Sequence, residues 1–254
     1  MTTLAIAHNT FREATRDRLL VGAFGAGAAL LGATQLLSPL ALGEGLRLTV
    51  DLGLSGICVI GLVLVLLVGT NLVGKEIDRR TIYNLLSRPV SRRSYLVGKF
   101  AGLAATQWLV ALGIGAGLMA LLVARGHPEH LPSTAQAIYL TGLELSVVTA
   151  VAVLFSAVST PVLSALYTLG LYLVGQWSLD LRTFATKFPP AAATACRMAA
   201  DVVPNLQLFN MRTLAANAQV TTGAHLVIAT GYALLYCACA LTLATAALET
   251  RDFK

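Results

Sequence analysis

Long runs of apolar residues alternate with short polar stretches along the whole chain of 254 residues. A helix needs about 20 consecutive apolar residues to cross the hydrocarbon core of a bilayer, which is about 30 Å thick. Six runs reach that length, at 19–42, 50–72, 100–124, 137–158, 161–181 and 224–248. None of them shows the residue-by-residue alternation of a membrane β-strand. The pattern therefore predicts an all-α polytopic membrane protein with six transmembrane helices in a single domain, 1–254.

Composition supports the same fold class. Hydrophobic residues make up 56% of the chain and charged residues 12%, and the mean hydropathy is +0.75. A soluble domain carries about 25% charged residues, because its surface faces water. These values exclude a water-soluble globule and a disordered chain. Four cysteines in so apolar a chain also exclude a secreted disulfide scaffold.

The basic residues are unevenly distributed between the two sides of the predicted bundle. With the N-terminus inside, the inner segments hold 12 of the 18 Lys and Arg residues. Basic residues near span ends resist translocation, so both termini are expected to be cytoplasmic, in a multi-pass protein of the inner (plasma) membrane. The densest basic stretch, 75–99, lies between two predicted spans. It therefore indicates topology, and no nucleic-acid partner is expected.

Residues 1–18 are too polar to span a membrane but show helical periodicity. Leu4, Ala7, Phe11 and Ala14 recur at spacings of three or four residues and fall on one face of a helix. The spacing predicts an interfacial helix that lies along the cytoplasmic membrane surface and leads into the first span. The alternative is a frayed tail.

A charged segment separates the second and third predicted spans. Glu76 and Arg80 are four residues apart and support a helix, and Pro89 ends it. Ser91 can then cap the helix that enters the third span. A short turn would suffice to connect the spans, so an amphipathic helix over 76–87 indicates a docking element for a soluble partner. Its apolar residues are Ile82, Tyr83, Leu85 and Leu86, and its charged residues are Glu76, Asp78, Arg79 and Arg80. The alternative is a loop whose positive charges only set topology.

One stretch is similar to the phosphate-binding loop of ATPases. Residues 69–75 match the G-x4-G-K pattern, but Glu76 follows where magnesium needs a Ser or Thr hydroxyl. A carboxylate at that position would also repel the phosphates, and the stretch ends a membrane helix instead of following a strand. The chain is therefore expected to have no nucleotide site, catalytic residue or cofactor. Any ATP and magnesium would be bound by a partner.

The histidines offer no metal site. His127 and His130 are three residues apart, but Pro128 lies between them in a short connection. This arrangement is typical of a surface loop, and no metal is expected.

Glu144 is the only ionisable residue well inside a predicted span, about 10 Å below its outer boundary. An ionised carboxylate at that depth is costly, so it should face protein or a watery cavity, or be protonated. One interpretation is a residue that lines a cavity or gates it. The other is a hydrogen bond to a neighbouring helix, for example to Gln107 or Gln176.

The segment 182–223 is the longest one predicted on the outer side. It has five charged residues in 42, which are Arg182, Lys187, Arg197, Asp201 and Arg212. So weakly charged a segment is expected to dip back into the outer leaflet as two re-entrant half-helices, over 191–203 and 206–218. Protein would have to shield their open backbone.

Four stretches of the sequence together resemble the permease subunits of type-2 ABC exporters. They are TFREATRDR at 10–18, GKEIDRRTI at 74–82 with LSRPVS at 86–91 and GK at 98–99, PNLQLFN at 204–210, and ETRDF at 249–253. The most similar branch is the one related to permeases of nitrous-oxide reductase and multicopper-enzyme maturation. The resemblance implies six spans, a cytoplasmic coupling helix after the second span and re-entrant helices before the last. It also implies that two permeases pair with two ATPase subunits.

We therefore expect the transmembrane subunit of an ATP-driven exporter that is coupled to a separate ABC ATPase. A secondary transporter would need several intramembrane carboxylates and usually an inverted repeat, whereas this chain has one such carboxylate and no evident repeat. A non-transporting membrane anchor, or a force transmitter for a partner protein, is the other alternative.

Six helices in one subunit offer no obvious central path, so we expect a homodimer with the path between its subunits. Spans one and five are expected at the contact between the two copies. The spacings Gly98-x-x-x-Gly102 and Gly113-x-x-x-Gly117, in or beside span three, would also allow helices of the two copies to approach closely. An apolar path surrounded by membrane lipid favours a lipidic or amphiphilic cargo, and the sequence names no particular substrate.

Overall fold

The computed structural model describes residues 2–16, 18–41, 43–69, 91–178 and 203–250. This part of the chain is helical and contains no strand. The helices are α1 (Thr2–Arg16), α2 (Arg18–Leu37), α3 (Gly45–Leu64), α4 (Arg92–Ala124), α5 (Leu131–Val158), α6 (Pro161–Gln176), α7 (Arg212–Ala216) and α8 (Gly223–Thr250). A 3₁₀ turn extends α2 over Ser38–Ala41, others cover Pro128–His130 and Leu206–Phe209, and a π turn extends α3 over Val65–Gly69.

Five of the described helices are long and apolar enough to cross a membrane, namely α2, α3, α4, α5 and α8. The fifth predicted span corresponds to α6, which is apolar but has 16 residues in the described range. Sixteen residues of helix extend about 24 Å, less than the hydrocarbon thickness. Residues 179–181, which would complete that span, lie outside the described part of the chain. The fifth predicted span, and with it the count of six, therefore stays a prediction.

The third span begins earlier than hydropathy predicts. Its helix, α4, starts at Arg92 and has 33 residues, which corresponds to about 50 Å. Ser91 caps it as predicted, because the Ser91 side chain accepts a hydrogen bond from the backbone N–H of Ser94 at 3.3 Å. Hydropathy locates the apolar part of a helix, whereas the cap determines where the helix begins. We call the end of the bundle at Gly69 and Arg92 the inner end, and the opposite end the outer end.

The helix α5 occupies the centre of the bundle. In its most apolar 18-residue window, 83% of the residues are buried. The corresponding share is 17% for α2 and 22% for α8. Around it pack α3, α4, α6, α7 and α8. Two of its buried hydroxyls are satisfied within the helix, since Thr141 and Thr149 donate to the carbonyls of Ala137 and Leu145, whereas the buried hydroxyl of Thr134 has no partner among the described residues. A helix with small, internally satisfied polar residues can be surrounded by other helices on all sides.

The N-terminal segment is helical, as its periodicity predicts, and packs on the inner half of α4. Leu4, on the predicted apolar face, is 80% exposed and free to contact lipid, whereas Ala14 of the same face is buried. A Cβ atom added at Gly98 would lie 2.8 Å from the Cβ of Ile6, so Ile6 contacts α4. The location of α1 at the membrane surface stays a prediction.

The two glycine pairs expected at a dimer contact are used inside the subunit instead. Gly98 and Gly102 accommodate α1, and a Cβ at Gly113 would lie 2.4 Å from the ring of Phe24 on α2. Gly117 faces Leu31 on α2 as well. Small residues let neighbouring helices of one chain approach as readily as helices of two chains.

Replacing Gly102 by Leu is expected to detach α1 from α4. The added Cβ would lie 2.6 Å from the backbone oxygen of Ala7, which cannot rotate away as a side chain could. Overpacking costs about 1–3 kcal/mol, so trypsin cleavage at the exposed Arg12 and Arg16 should become about tenfold faster. The control is Gly32→Leu, whose Cβ meets open space. Equal cleavage of the two variants would contradict the packing of α1 on α4.

At the outer end one arginine connects three helices. Arg125, the residue after α4, donates from Nε to the Gln35 side chain at 2.9 Å and from Nη1 to Ser38 and Thr49 at 3.2 Å each. Gly126 follows with a φ of +79°, which glycine adopts without strain, and turns the chain toward α5. These bonds fix the outer ends of α2, α3 and α4 relative to one another.

Candidate functional site

Glu144 lies halfway along α5 and is 1% exposed. Its Oε1 accepts a hydrogen bond of 2.5 Å from the amide of Gln176 on α6 and a weaker one of 3.6 Å from the thiol of Cys58 on α3. The Cys58 sulfur also lies 3.1 Å from the hydroxyl of Tyr172 on α6. Cys58, Glu144, Tyr172 and Gln176, which we call the carboxylate cluster, thus connect three helices through one buried acid.

Of the two partners expected for Glu144, the contact with Gln176 is confirmed and that with Gln107 is wrong. Gln107 is buried on α4, where its Oε1 has no hydrogen-bond partner. The carboxylate faces protein, which is one of the three environments expected for it. Because α5 starts at Leu131, the carboxylate lies about 20 Å from the start of its helix, deeper than the span boundaries predict.

Local packing explains why these side chains meet. A Cβ at Gly61 would lie 2.4 Å from a methyl carbon of Leu145, so α3 and α5 approach closely one turn from Cys58. Tyr172 and Gln176 are four residues apart and therefore share one face of α6. No sequence pattern marked Cys58 or Tyr172 as a partner of Glu144.

Residues 203–222 cover the carboxylate cluster from the outer end. Leu206 and Phe209 are fully buried and pack in the same core as Cys58 and Tyr172. Gln207 donates from its side-chain amide to the backbone carbonyl of Gln176 at 2.6 Å. That carbonyl is at the C-terminus of α6, where no helical donor is available. The segment is therefore bonded to Gln176, the residue that donates to Glu144.

The same segment is attached to the central and last helices. The backbone N–H of Asn205 donates to the hydroxyl of Tyr232 at 2.9 Å, and that of Thr221 donates to Gln136 at 2.8 Å. His130 Nδ1 lies 3.2 Å from the carbonyl oxygen of Ala215. His130 thus serves as a packing contact in this structure. Among the described residues no group of three or more His, Cys, Asp or Glu side chains could hold a metal ion.

The second predicted half-helix, 206–218, is broken in the structure. It consists of the 3₁₀ turn at Leu206–Phe209 and the five-residue α7, with Asn210 between them. Asn210 accepts a bond from the backbone N–H of Arg212 at 3.4 Å, a local bond that competes with helix continuation. Of the first predicted half-helix, 191–203, only the last residue belongs to the described part of the chain.

Arg212 at the start of α7 brings a positive charge near the cluster. Its Nη1 donates to Ser55 on α3 at 3.3 Å, one helical turn from Cys58. Burial alone would lower the pKa of Arg212, but four neighbouring groups raise it above its ordinary value, namely Cys58, Glu144, Tyr172 and Asp51. Of these four groups only the two carboxyls are ordinarily charged near neutral pH. The guanidinium is therefore attracted by the carboxyls of Glu144 and Asp51, which no sequence pattern predicted.

The predicted docking helix lies outside the described residues. This holds for all eight of its named residues: Glu76, Asp78, Arg79, Arg80, Ile82, Tyr83, Leu85 and Leu86. The structure does describe the two helices on either side of it. The π turn Val65–Gly69 leads toward this segment, and α4 begins at Arg92.

Comparison with known proteins gives one positive finding. A family model described as "ABC-2 family transporter protein" matches residues 4–253, which include the carboxylate cluster and both helices beside the predicted docking segment. A search of curated proteins found no match.

Proposed function

Because the chain belongs to the ABC-2 family of transporter proteins, we propose that it forms the membrane path of an ATP-driven exporter and is driven by a separate ABC ATPase. Membership of this family and its apolar helices make the chain an integral membrane subunit of an ABC transporter. Within the family we assign it to the branch related to nitrous-oxide reductase and multicopper-enzyme maturation, because of the motifs at 74–91 and 204–210. The charge distribution supports an inner-membrane location with both termini cytoplasmic.

The observation that carries the proposal is the position of α3. This helix leads from the predicted docking segment at its inner end to the carboxylate cluster, since Cys58 lies 11 residues, or about 17 Å, from Gly69. It also packs tightly on α4, because a Cβ at Gly53 would lie 2.8 Å from a methyl carbon of Leu118. A displacement of the segment 76–87 would therefore move α3 and α4 together. The carboxylate cluster would transmit that movement to α6 and the outer segment.

The inner end of α3 has a feature through which a displacement of the segment 76–87 could be transmitted to the helix. In the π turn Val65–Gly69 each backbone hydrogen bond spans five residues, one more than in an α-helix. Such turns occur mostly as single-turn insertions in α-helices, frequently at functional sites. The turn is anchored against the bundle, because Val65 and Gly69 are buried. We infer that the turn changes its pitch when the ATPase closes.

The homodimer is proposed because α5 fills the centre of the described bundle. A path through such a subunit would require removal of its core, whereas a path between two subunits would not. Apolar side chains face outward on α2, α6 and α8, for example Leu36 at 78%, Val162 at 72% and Leu235 at 74% exposure. Such faces support contact with lipid or with a second copy, and a lipidic or amphiphilic cargo.

Purification of the tagged chain in mild detergent from its own cells tests the proposal. We expect mass spectrometry to identify a co-purified ATPase with a complete phosphate-binding loop, and native mass spectrometry to give two chains with two ATPases. The matched control is a variant in which 76–87 is replaced by a Gly/Ser linker of equal length. The proposal would be contradicted if the wild-type chain purified without an ATPase. It would also be contradicted if the wild-type chain and the linker variant retained equal amounts of ATPase. A complex with a single copy of the chain would contradict the homodimer.

A further inference from the structure

A surface groove of about 430 Å³ runs between α2 and α3 at the inner end of the bundle. The α2 wall consists of Leu19 followed by three small residues, Gly22, Ala23 and Ala26. The other wall is branched and apolar, and its residues are Val59, Ile60, Val63, Leu64 and Leu67. Three side chains of the branched wall remain accessible, since Val59 is 57%, Val63 46% and Leu67 44% exposed, whereas Leu64 is buried. The groove is therefore open to whatever surrounds the subunit.

The length and depth of the groove match one leaflet of a membrane. Its α2 wall extends from Arg18 to Ala26, eight residues or about 12 Å of helix. The antiparallel α3 wall extends over the same depth, from Leu67 back to Val59. Half of the hydrocarbon core is about 15 Å thick. The groove thus extends from the inner membrane boundary nearly to the midplane.

Among the described residues, a single charged residue lines the groove, and it lies at the inner mouth. Arg18 begins α2 and is exposed. In the sequence around it, Arg12, Arg16 and Arg18 outnumber Glu13 and Asp17. A basic residue at the cytoplasmic surface attracts anionic headgroups. The groove therefore combines an apolar trough of one-leaflet length with a cation at headgroup level.

We propose that this groove binds one anionic phospholipid of the cytoplasmic leaflet, with an acyl chain between α2 and α3 and the phosphate at Arg18. Arg18 favours a lipid over an apolar helix of a second copy, because a headgroup phosphate can pair with the cation and an apolar helix face cannot. The α2 wall leaves room for an acyl chain at Gly22, where an added Cβ would meet no atom within 4 Å. The bound lipid would fill the gap between the first two spans, and binding requires no ATPase.

Filling the groove tests the proposal. Gly22→Leu adds a side chain in the groove without a clash, because a Cβ at Gly22 meets no atom within 4 Å. Gly32→Leu is the matched control on the outer half of the same helix, and its Cβ also meets open space. The purified chain is titrated with dioleoyl-phosphatidylglycerol in detergent and bound lipids are counted by native mass spectrometry, with dioleoyl-phosphatidylcholine as the neutral lipid. We expect Gly22→Leu to lose one tightly bound phosphatidylglycerol and Gly32→Leu to retain it.

The charge at the mouth is tested separately with Arg18→Gln. Each basic residue near a surface contributes about 1 kcal/mol to anionic lipid binding, so the preference for phosphatidylglycerol over phosphatidylcholine should fall about fivefold. Unchanged lipid counts in Gly22→Leu, or an unchanged preference in Arg18→Gln, would overturn the proposal. A Gly22→Leu chain that keeps its lipid but changes from dimer to monomer would overturn it too, and would assign the groove to a second copy.

Discussion

Reversing the charges of Arg79 and Arg80 together is expected to weaken binding of the ATPase about 30-fold or more. These arginines belong to the helix predicted over 76–87, whose charged residues we propose to be paired with the partner. Loss of one partner from a close charge pair across an interface costs about 2–5 kcal/mol, and 2 kcal/mol corresponds to about 30-fold. The measurement is the dissociation constant of the purified ATPase from Arg79→Glu/Arg80→Glu protein in nanodiscs.

The control separates docking from membrane topology. Arg92→Glu/Arg93→Glu makes the same charge change on the same side of the membrane, but in the first turn of α4. Acidic residues are favourable at a helix N-terminus, so this variant should fold. Both variants are checked for correct insertion by labelling of cysteines introduced at the termini. If the two inserted variants bind the ATPase equally well, the docking assignment is contradicted.

Replacing Glu144 by Ala is expected to lower the free energy of unfolding by about 2–4 kcal/mol. The change removes the acceptor of Gln176 and Cys58 and leaves a cavity at a position that is 1% exposed. An unpaired buried donor costs about 1–3 kcal/mol, and deleted side-chain volume adds to that. Unfolding of the purified chain in mixed detergent micelles measures the loss. Thr149→Val is the matched control on α5, because its hydroxyl bonds only to its own helix.

Glu144→Gln distinguishes a connecting residue from a charged gate. The amide keeps one oxygen to accept the bond from Gln176 and loses only the charge attraction to Arg212, so we expect a smaller loss of stability than in Glu144→Ala. ATPase binding and ATP hydrolysis by the complex should stay near the wild-type level. If Glu144→Gln folds and binds the ATPase but hydrolysis falls tenfold or more, the negative charge itself is needed for coupling. That result would contradict the role assigned here to the carboxylate cluster, which is to hold α3, α5 and α6 together.

Hydropathy predicted where the membrane helices lie but not which of them is central. The most apolar windows of α5 and α8 have the same mean hydropathy of 2.0, yet 83% of the first and 22% of the second is buried. Lipid tails are as apolar as a protein interior, so hydropathy does not distinguish a lipid-facing helix from an enclosed one. For this reason, the hydropathy of the apolar runs could not predict which helix lies at the centre of the bundle.

Local signals were predicted well and long-range contacts were not. The Ser91 cap depends on residues within one turn, and it was predicted correctly. The face of α1 that packs on α4, which includes Ile6 and Thr10, depends on the surface of α4 and was not predicted. For the candidate site, the energetic cost of a carboxylate deep in the membrane predicted a protein partner for Glu144. Gln176 was one of the two partners predicted from the sequence. Arg212 joins Glu144 only through the fold of the outer segment, 68 residues later in the chain.

The central claim is that a separate ATPase drives this subunit through the segment 76–87. Its most direct test is ATP hydrolysis by the purified chain in nanodiscs, alone and after addition of the purified ATPase. We expect no hydrolysis by the chain alone, because Glu76 replaces the magnesium-binding hydroxyl of its only phosphate-loop match. The ATPase should hydrolyse ATP faster with the wild-type chain than with Arg79→Glu/Arg80→Glu. Hydrolysis by the chain alone would contradict the claim, and so would equal stimulation of the ATPase by the wild-type chain and by Arg79→Glu/Arg80→Glu.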